Sequence, residues 1–135
     1  MYKKILVPMA LEHDLSPSTL AIARTLLTEG GEIIALHVHE SLDGSVAAYV
    51  EPAAIAEGRA KAEALLAEKT KDMAGVTAKL VEGHASRSII DFASSAGIDC
   101  IVIGSHRPGL SDYFLGSTAS RVVRHAPCAV HVYRE

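Results

Sequence analysis

Apolar runs of strand length alternate with helical patterns from one end of this chain to the other, and few folds accept that order. Ile5-Leu6-Val7-Pro8 reads as a first strand. Ser16-Pro17 opens a helix, because Ser is a good N-cap and Pro suits the first helical position. Leu20, Ala23, Leu26 and Leu27 give that helix one apolar face, and Gly30-Gly31 is expected to stop it. Residues Glu32 to His39 form a second strand. After a loop through Asp43-Gly44-Ser45, the Ala/Glu/Lys-rich stretch from about Ala53 to Met73 has strong helix propensity. Val76 to Val81 alternates in polarity, as a half-covered third strand does. Ser86 is expected to cap a helix bearing Ile89, Ile90 and Ala93. Cys100-Ile101-Val102-Ile103 is a fourth strand, Ser117 to His125 a further helix, and Ala129-Val130-His131-Val132-Tyr133 a fifth strand.

Strands alternating with helices imply a five-stranded parallel sheet with right-handed crossovers, flanked by helices in a Rossmann-like manner. The 135 residues suffice for one domain with a core, and no stretch reads as a linker, so the domain spans 1–135. A chain that is 49% apolar but only 4% aromatic, with no Trp, must fill that core with Ala, Val, Ile and Leu. The net charge is −3 and no Lys/Arg cluster occurs, which argues against nucleic acid and against an anionic membrane surface. No apolar run reaches the ~18 residues of a membrane span, and the run after Lys3-Lys4 is too short for a signal peptide. The expected location is the cytoplasm. Cys100 and Cys128 stand in no metal-ligand or Cys-x-x-Cys spacing and read as small buried hydrophobes.

In open parallel sheets, ligands bind beyond the carboxyl ends of the strands, where the strand order reverses. Here those ends are Pro8-Met9-Ala10, Val38-His39-Glu40, Gly83-His84-Ala85 and Gly104-Ser105-His106. The most informative segment runs from Gly104 to Thr118. Gly104 lets a ligand approach the backbone at the end of the fourth strand. Gly116-Ser117-Thr118 stands at a helix start, where free N–H groups and the helix dipole attract an anion. The segment is neither a Walker A loop nor a G-x-G-x-x-G. From the residues alone, phosphate binding and a plain Ser/Thr-capped helix after a surface loop both remain open.

The segment resembles the signature of universal stress proteins, Gly-x2-Gly-x9-Gly followed by Ser or Thr. The flanks agree: Ile5-Leu6-Val7-Pro8 at the start, Glu82-Gly83-His84, and Val122-Val123-Arg124-His125-Ala126-Pro127-Cys128 near the end. Ser105-His106-Arg107-Pro108, Tyr113 and Leu115-Gly116-Ser117 most resemble the bacterial F and G branch. The resemblance covers the whole chain and implies an adenine nucleotide alpha hydrolase-like fold. It also implies a homodimer acting in the stress response and binding ATP, or ADP or AMP, with Mg²⁺ held mainly by the phosphates. By position, Pro8 and Val38 would flank the adenine, with Met9, Ala10, Ser105 and His106 in the same loops. Gly104 would lie at the ribose or phosphates, and Gly116, Ser117 and Thr118 would hold the phosphates. Two departures stand out. Arg107 replaces the second glycine in a shortened loop and would supply a positive charge to the phosphates. Ala10 stands where the family usually has an acid near the adenine, leaving Glu12 or Asp14 as substitutes.

Seven histidines invite a metal reading. His37 and His39 share a face of the second strand, and His13, His84 and His106 lie in loops at the same sheet edge, but spacing shows no converging ligand set. No Gly-x-Ser-x-Gly elbow, Walker-type lysine or base–nucleophile pair marks an enzyme, so no catalytic residue is assigned and slow ATP hydrolysis is the only turnover expected. The fifth strand, last in the chain, should lie at a sheet edge and is expected to pair with its own copy across residues 129–133. The alternative reading is a family member that binds no nucleotide and acts through protein–protein contacts.

Overall fold

The structure, a computed structural model, describes residues 1–40, 44–105 and 115–134. The chain forms β1 (Tyr2–Pro8), α1 (Pro17–Leu26), β2 (Leu27–His39), α2 (Gly44–Ala47) and α3 (Pro52–Thr70). It continues through β3 (Val76–Glu82), α4 (Ala85–Ser95), β4 (Cys100–Gly104), α5 (Ser117–His125) and β5 (Ala129–Tyr133). The five strands make one sheet in the order β3-β2-β1-β4-β5. Every pairing is parallel. The expected parallel α/β architecture is therefore the observed one.

The central strands are buried on both faces, which is why they read as continuous apolar runs rather than alternating ones. Leu6, Ile34, Leu36, Ile101 and Ile103 meet Ile89 and Ala93 of α4 and Ala119 and Val122 of α5. On the opposite face Ile5, Val7, Ile33, Cys100 and Val102 pack with Ala23 of α1. Ala35 and Met9 pack with Leu66 of α3. Each fully buried Ile or Leu contributes about 2–3 kcal/mol relative to exposure, so the sheet interior is where the fold is decided. The outer strands differ. β3 alternates half-buried and exposed residues, and β5 pairs with β4 along one side only.

Two local expectations need correction. The first helix does not run to Gly30-Gly31; it ends at Leu26, and Leu27 is already extended, with φ −75° and ψ 133°. Strand β2 thus starts at Leu27 rather than Glu32. Between the pairs Tyr2↔Leu27 and Lys4↔Glu32, two steps along β1 match five along β2, so the entry to β2 bulges. Gly30, at φ +79°, supplies the left-handed turn inside this bulge. Pairing beside β1 has captured residues whose own spacing favoured helix. Ser86 is likewise not the cap of its helix. Gly83, at φ +144°, turns the chain so sharply that α4 begins at Ala85, with His84 as N-cap. Ser86 is buried in the first turn, its Oγ 3.3 Å from His84 Nδ1. At the first helix, Ser16 does hold the N-cap position, with Pro17 behind it, but makes no side-chain cap bond; its carbonyl takes the N–H of Thr19.

Candidate functional site

The strand order places the reversal point between β1 and β4. From β1 the chain moves outward to β2 and β3, then returns to β4 on the other side and moves outward to β5. The two crossovers leave from opposite sides of that seam, and beyond such a seam, at the carboxyl ends of the strands, open parallel sheets bind their ligands. The register Ile5↔Cys100 and Leu6↔Ile101, carried on along both strands, brings Met9 level with Gly104. Pro8-Met9-Ala10 and Gly104-Ser105 are therefore neighbours across the seam.

Each residue there is held differently. The Met9 side chain is 7% exposed, in the core beside Ala35 and Leu66. Its N–H donates to the Leu36 carbonyl at 2.9 Å. Its carbonyl lies 3.0 Å from His37 Nδ1. Ala10, next along, is exposed, and its N–H has no partner among the described residues. Val38, at the carboxyl end of β2, turns to the α4–α5 face and packs half-buried against that core. A Cβ built on Gly104 meets no described atom within 4 Å, so packing against the described residues does not require a glycine. Ser105 is buried. Its N–H and Oγ both donate to the Tyr133 carbonyl, at 3.0 and 3.4 Å, so its hydroxyl ties β4 to β5. His106 and Arg107 lie outside the described residues.

Helix α5 follows β4 and leads to β5, which is parallel to β4, so its N-terminus lies at the same carboxyl edge. Gly116 is its N-cap and provides no side-chain cap, while its carbonyl takes the Ser120 N–H at 2.8 Å. Ser117 is exposed and Thr118 half-buried at this start. The N–H groups of the first turn are thus free of a side-chain cap, the local condition for holding an anion. Ala119 and Val122 anchor the helix to the core and fix where that end points.

Of the two acids considered in the β1–α1 loop, Asp14 is already engaged. Lys69 of α3 reaches it at 2.7 Å, and this hydrogen bond and charge hold the Asp14 carboxyl below its ordinary pKa. Glu12 is exposed. The histidines do not converge either: no group of three or more metal-ligating side chains occurs among the described residues. His37 is the residue whose part sequence reasoning missed. Its strand position was legible; its hydrogen bond to a carbonyl 28 residues away was not. The cysteines are free. Burial pushes the Cys100 thiol up to about 11, and Cys128, half-buried, is also raised by burial.

The five-stranded parallel sheet, reversing its order between β1 and β4 and flanked by helices, defines a doubly wound α/β protein. Comparison with known proteins gives the family. The model of the universal stress protein family matches residues 1–134, and the chain belongs to that family. Universal stress protein G of Shigella flexneri is 30% identical over 145 residues, covering 99% of this chain and all of that one, in keeping with the F and G branch. The universal stress protein UspA from Lactobacillus plantarum superposes with a TM-score of 0.66 at 25% identity, covering 98% of each chain. A universal stress family protein from Arabidopsis thaliana, solved with AMP bound, superposes at TM-score 0.62 and 21% identity, covering 98% of this chain and 92% of that one. These neighbours share the adenine nucleotide alpha hydrolase-like fold. No described helix is long and apolar enough to cross a membrane.

Proposed function

We propose that this protein is an adenine-nucleotide-binding regulator that works as a homodimer in the cytoplasmic stress response. The observation that carries the reading is the reversal of strand order between β1 and β4. At this seam a Cβ on Gly104 would meet no described atom within 4 Å, and a first turn of α5 without a side-chain cap stands at the same edge. The AMP held by the Arabidopsis relative agrees with an adenine nucleotide. In this reading Pro8, Met9, Ala10 and Val38 surround the base. Gly104, with Ser105 behind it, borders the ribose. Gly116, Ser117 and Thr118 hold the phosphates, joined by His106 and Arg107. ATP, ADP and AMP all fit this chemistry, and Mg²⁺ would bridge phosphate oxygens and water. Residues 129–133 of β5 would pair with their copy about a two-fold axis, which covers an otherwise open strand edge.

The test is the nucleotide content of freshly purified protein, by acid release and chromatography, followed by titration with ATP and Mg²⁺. Copurified adenine nucleotide, or saturable binding below millimolar ATP, is the expected result. Protein that is folded yet neither carries nor binds nucleotide refutes the reading. It would favour the alternative for which the exposed methyl of Ala10 speaks, a member acting through surface contacts alone. Light scattering at micromolar concentration tests the dimer, and a monomer there rejects it.

A further inference from the structure

We infer that β5 receives a second copy of this chain in one register, with His131 facing its own copy across the two-fold axis, and that acid therefore weakens the pair; the inference rests on the dimer reading above. The register follows from the direction of the strand's polar groups. The Tyr133 carbonyl accepts the Ser105 N–H at 3.0 Å, so Tyr133 turns its backbone groups toward β4. Along a strand these directions alternate from residue to residue. Ala129 and His131 therefore also turn theirs toward β4, which leaves the N–H and C=O of Val130 and Val132 on the open edge. Edge-to-edge pairing about a two-fold axis through the sheet makes the two strands antiparallel, and outward residues must then oppose outward residues. An axis at Val130 would draw Cys128 into the ladder, and an axis at Val132 would draw in Arg134, both outside β5. An axis at His131 pairs Val130 with the copy's Val132. That satisfies the N–H and C=O of both valines in both copies, and every residue of β5 meets a residue of β5.

This register has a chemical consequence. Val130 and Val132 pack against the core under α4 and α5, so the His131 side chain lies on the opposite face with Ala129 and Tyr133. No residue of β5 joins the described core on that face. His131 is exposed there, and its imidazole has no partner among the described residues. With the axis at His131 the two histidines form a non-hydrogen-bonded pair, in which opposed Cα atoms stand only about 4.5 Å apart. Two neutral rings, or two rings with one added proton, can share a hydrogen bond. A second added proton sets like charges directly opposite each other, which destabilises a cross-strand pair. No described group on that face offsets it. Cys100 shares the face from β4, but burial pushes its thiol up to about 11, so it stays neutral. Within β5 the face adds only the Tyr133 phenol. Asp99, just ahead of β4, accepts from the N–H groups of Lys3 and Lys4. The one charged residue of α1, Arg24, is bonded to the Ala74 carbonyl.

Sedimentation of the full chain at constant ionic strength gives the dimer dissociation constant at about pH 8 and about pH 5.5, the range over which histidine takes up its proton. We expect the wild type to dimerise about tenfold more weakly at the lower pH. His131→Gln keeps a polar side chain that does not titrate, and is expected to dimerise equally at both. His131→Arg carries its charge throughout and is expected to dimerise weakly at both. The register is read separately. The close pair suits a disulfide, so His131→Cys treated with a thiol oxidant should link into covalent dimers more fully than the wild type, which keeps Cys100 and Cys128. A wild-type constant that does not change with pH overturns the inference. So does a pH dependence that survives in His131→Gln, or a His131→Cys dimer that links no better than the wild type. Wild-type protein that is monomeric at both pH values refutes the dimer reading and this inference together, whereas a dimer indifferent to pH refutes this inference alone.

Discussion

The two edges of the sheet are built on opposite principles. At the amino edge the chain satisfies its own polar groups. The Asp99 carboxylate accepts from Lys3 N and Lys4 N, each at 2.9 Å, while the Asp99 N–H donates to the Lys4 carbonyl at 3.0 Å. Arg24 of α1 donates to the Ala74 carbonyl before β3 at 2.9 Å. Gly31 sits so close to β1 that a Cβ would stand 2.8 Å from the Lys3 carbonyl oxygen and 2.7 Å from Leu27 Cδ1. At the carboxyl edge some groups are spent in the same way, but others are left over. A Cβ on Gly104 would meet no described atom within 4 Å, Ala10 ends in a methyl, and α5 and α4 begin without side-chain caps. Polar groups spent inside the chain give stability. Polar groups left unspent at the other edge are what a ligand can use.

Breaking the amino edge should have the largest effect on stability. Desolvation works against the Asp99 carboxylate, but the N–H groups of Lys3 and Lys4 outweigh it and hold the pKa below its ordinary value. Asp99→Ala is expected to lose about 2–3 kcal/mol, seen as a melting temperature lower by roughly 10 °C. The pH dependence follows from the same depression. A carboxyl with a lowered folded-state pKa contributes stability that is complete above its unfolded value, near ~4, and is lost as pH falls through the folded value. Acid titrations of the wild type and Asp99→Ala should therefore converge below about pH 4. Parallel curves would show that the clip contributes nothing.

Gly31→Ala comes next, at about 2 kcal/mol, because a backbone carbonyl cannot step aside as a side-chain tip can. Urea denaturation measures it, and a change within ~0.5 kcal/mol would mean the β2 bulge relaxes freely. The smallest stability effect is expected at the other edge. Gly104→Ala should shift the urea midpoint by less than about 0.5 kcal/mol, since no described atom lies near the added methyl. Its effect should appear instead as weaker ATP binding in a calorimetric titration. Equal effects of the two glycine substitutions on stability would erase the distinction between the edges.

Much of the fold was legible in the chain, and for a local reason. A strand buried on both faces must be apolar throughout, so Cys100–Ile103 and Ile33–Leu36 announce themselves as runs. Helix propensity placed α3 within a few residues, at Pro52–Thr70, and α5 fell on Ser117–His125 as expected. What failed was decided by neighbours. Leu27 fits a helical stripe but lies beside Tyr2 of β1, and the pairing won. Ser86 has the chemistry of a cap, but Gly83 turns the chain two residues too early for it to act as one.

The candidate site divides in the same way. The glycines, hydroxyls and strand ends that could hold a nucleotide are visible as residue types, because a parallel α/β order already says which loops share an edge. The amino-acid order alone therefore determined the family, the architecture and the set of loops. Only the tertiary structure decided which groups in those loops are already spent: Asp14 on Lys69, Ser105 on Tyr133, Met9 on Leu36 and His37. Each of those bonds joins residues at least 27 positions apart, and at such separations a sequence records the donor and the acceptor but not their meeting.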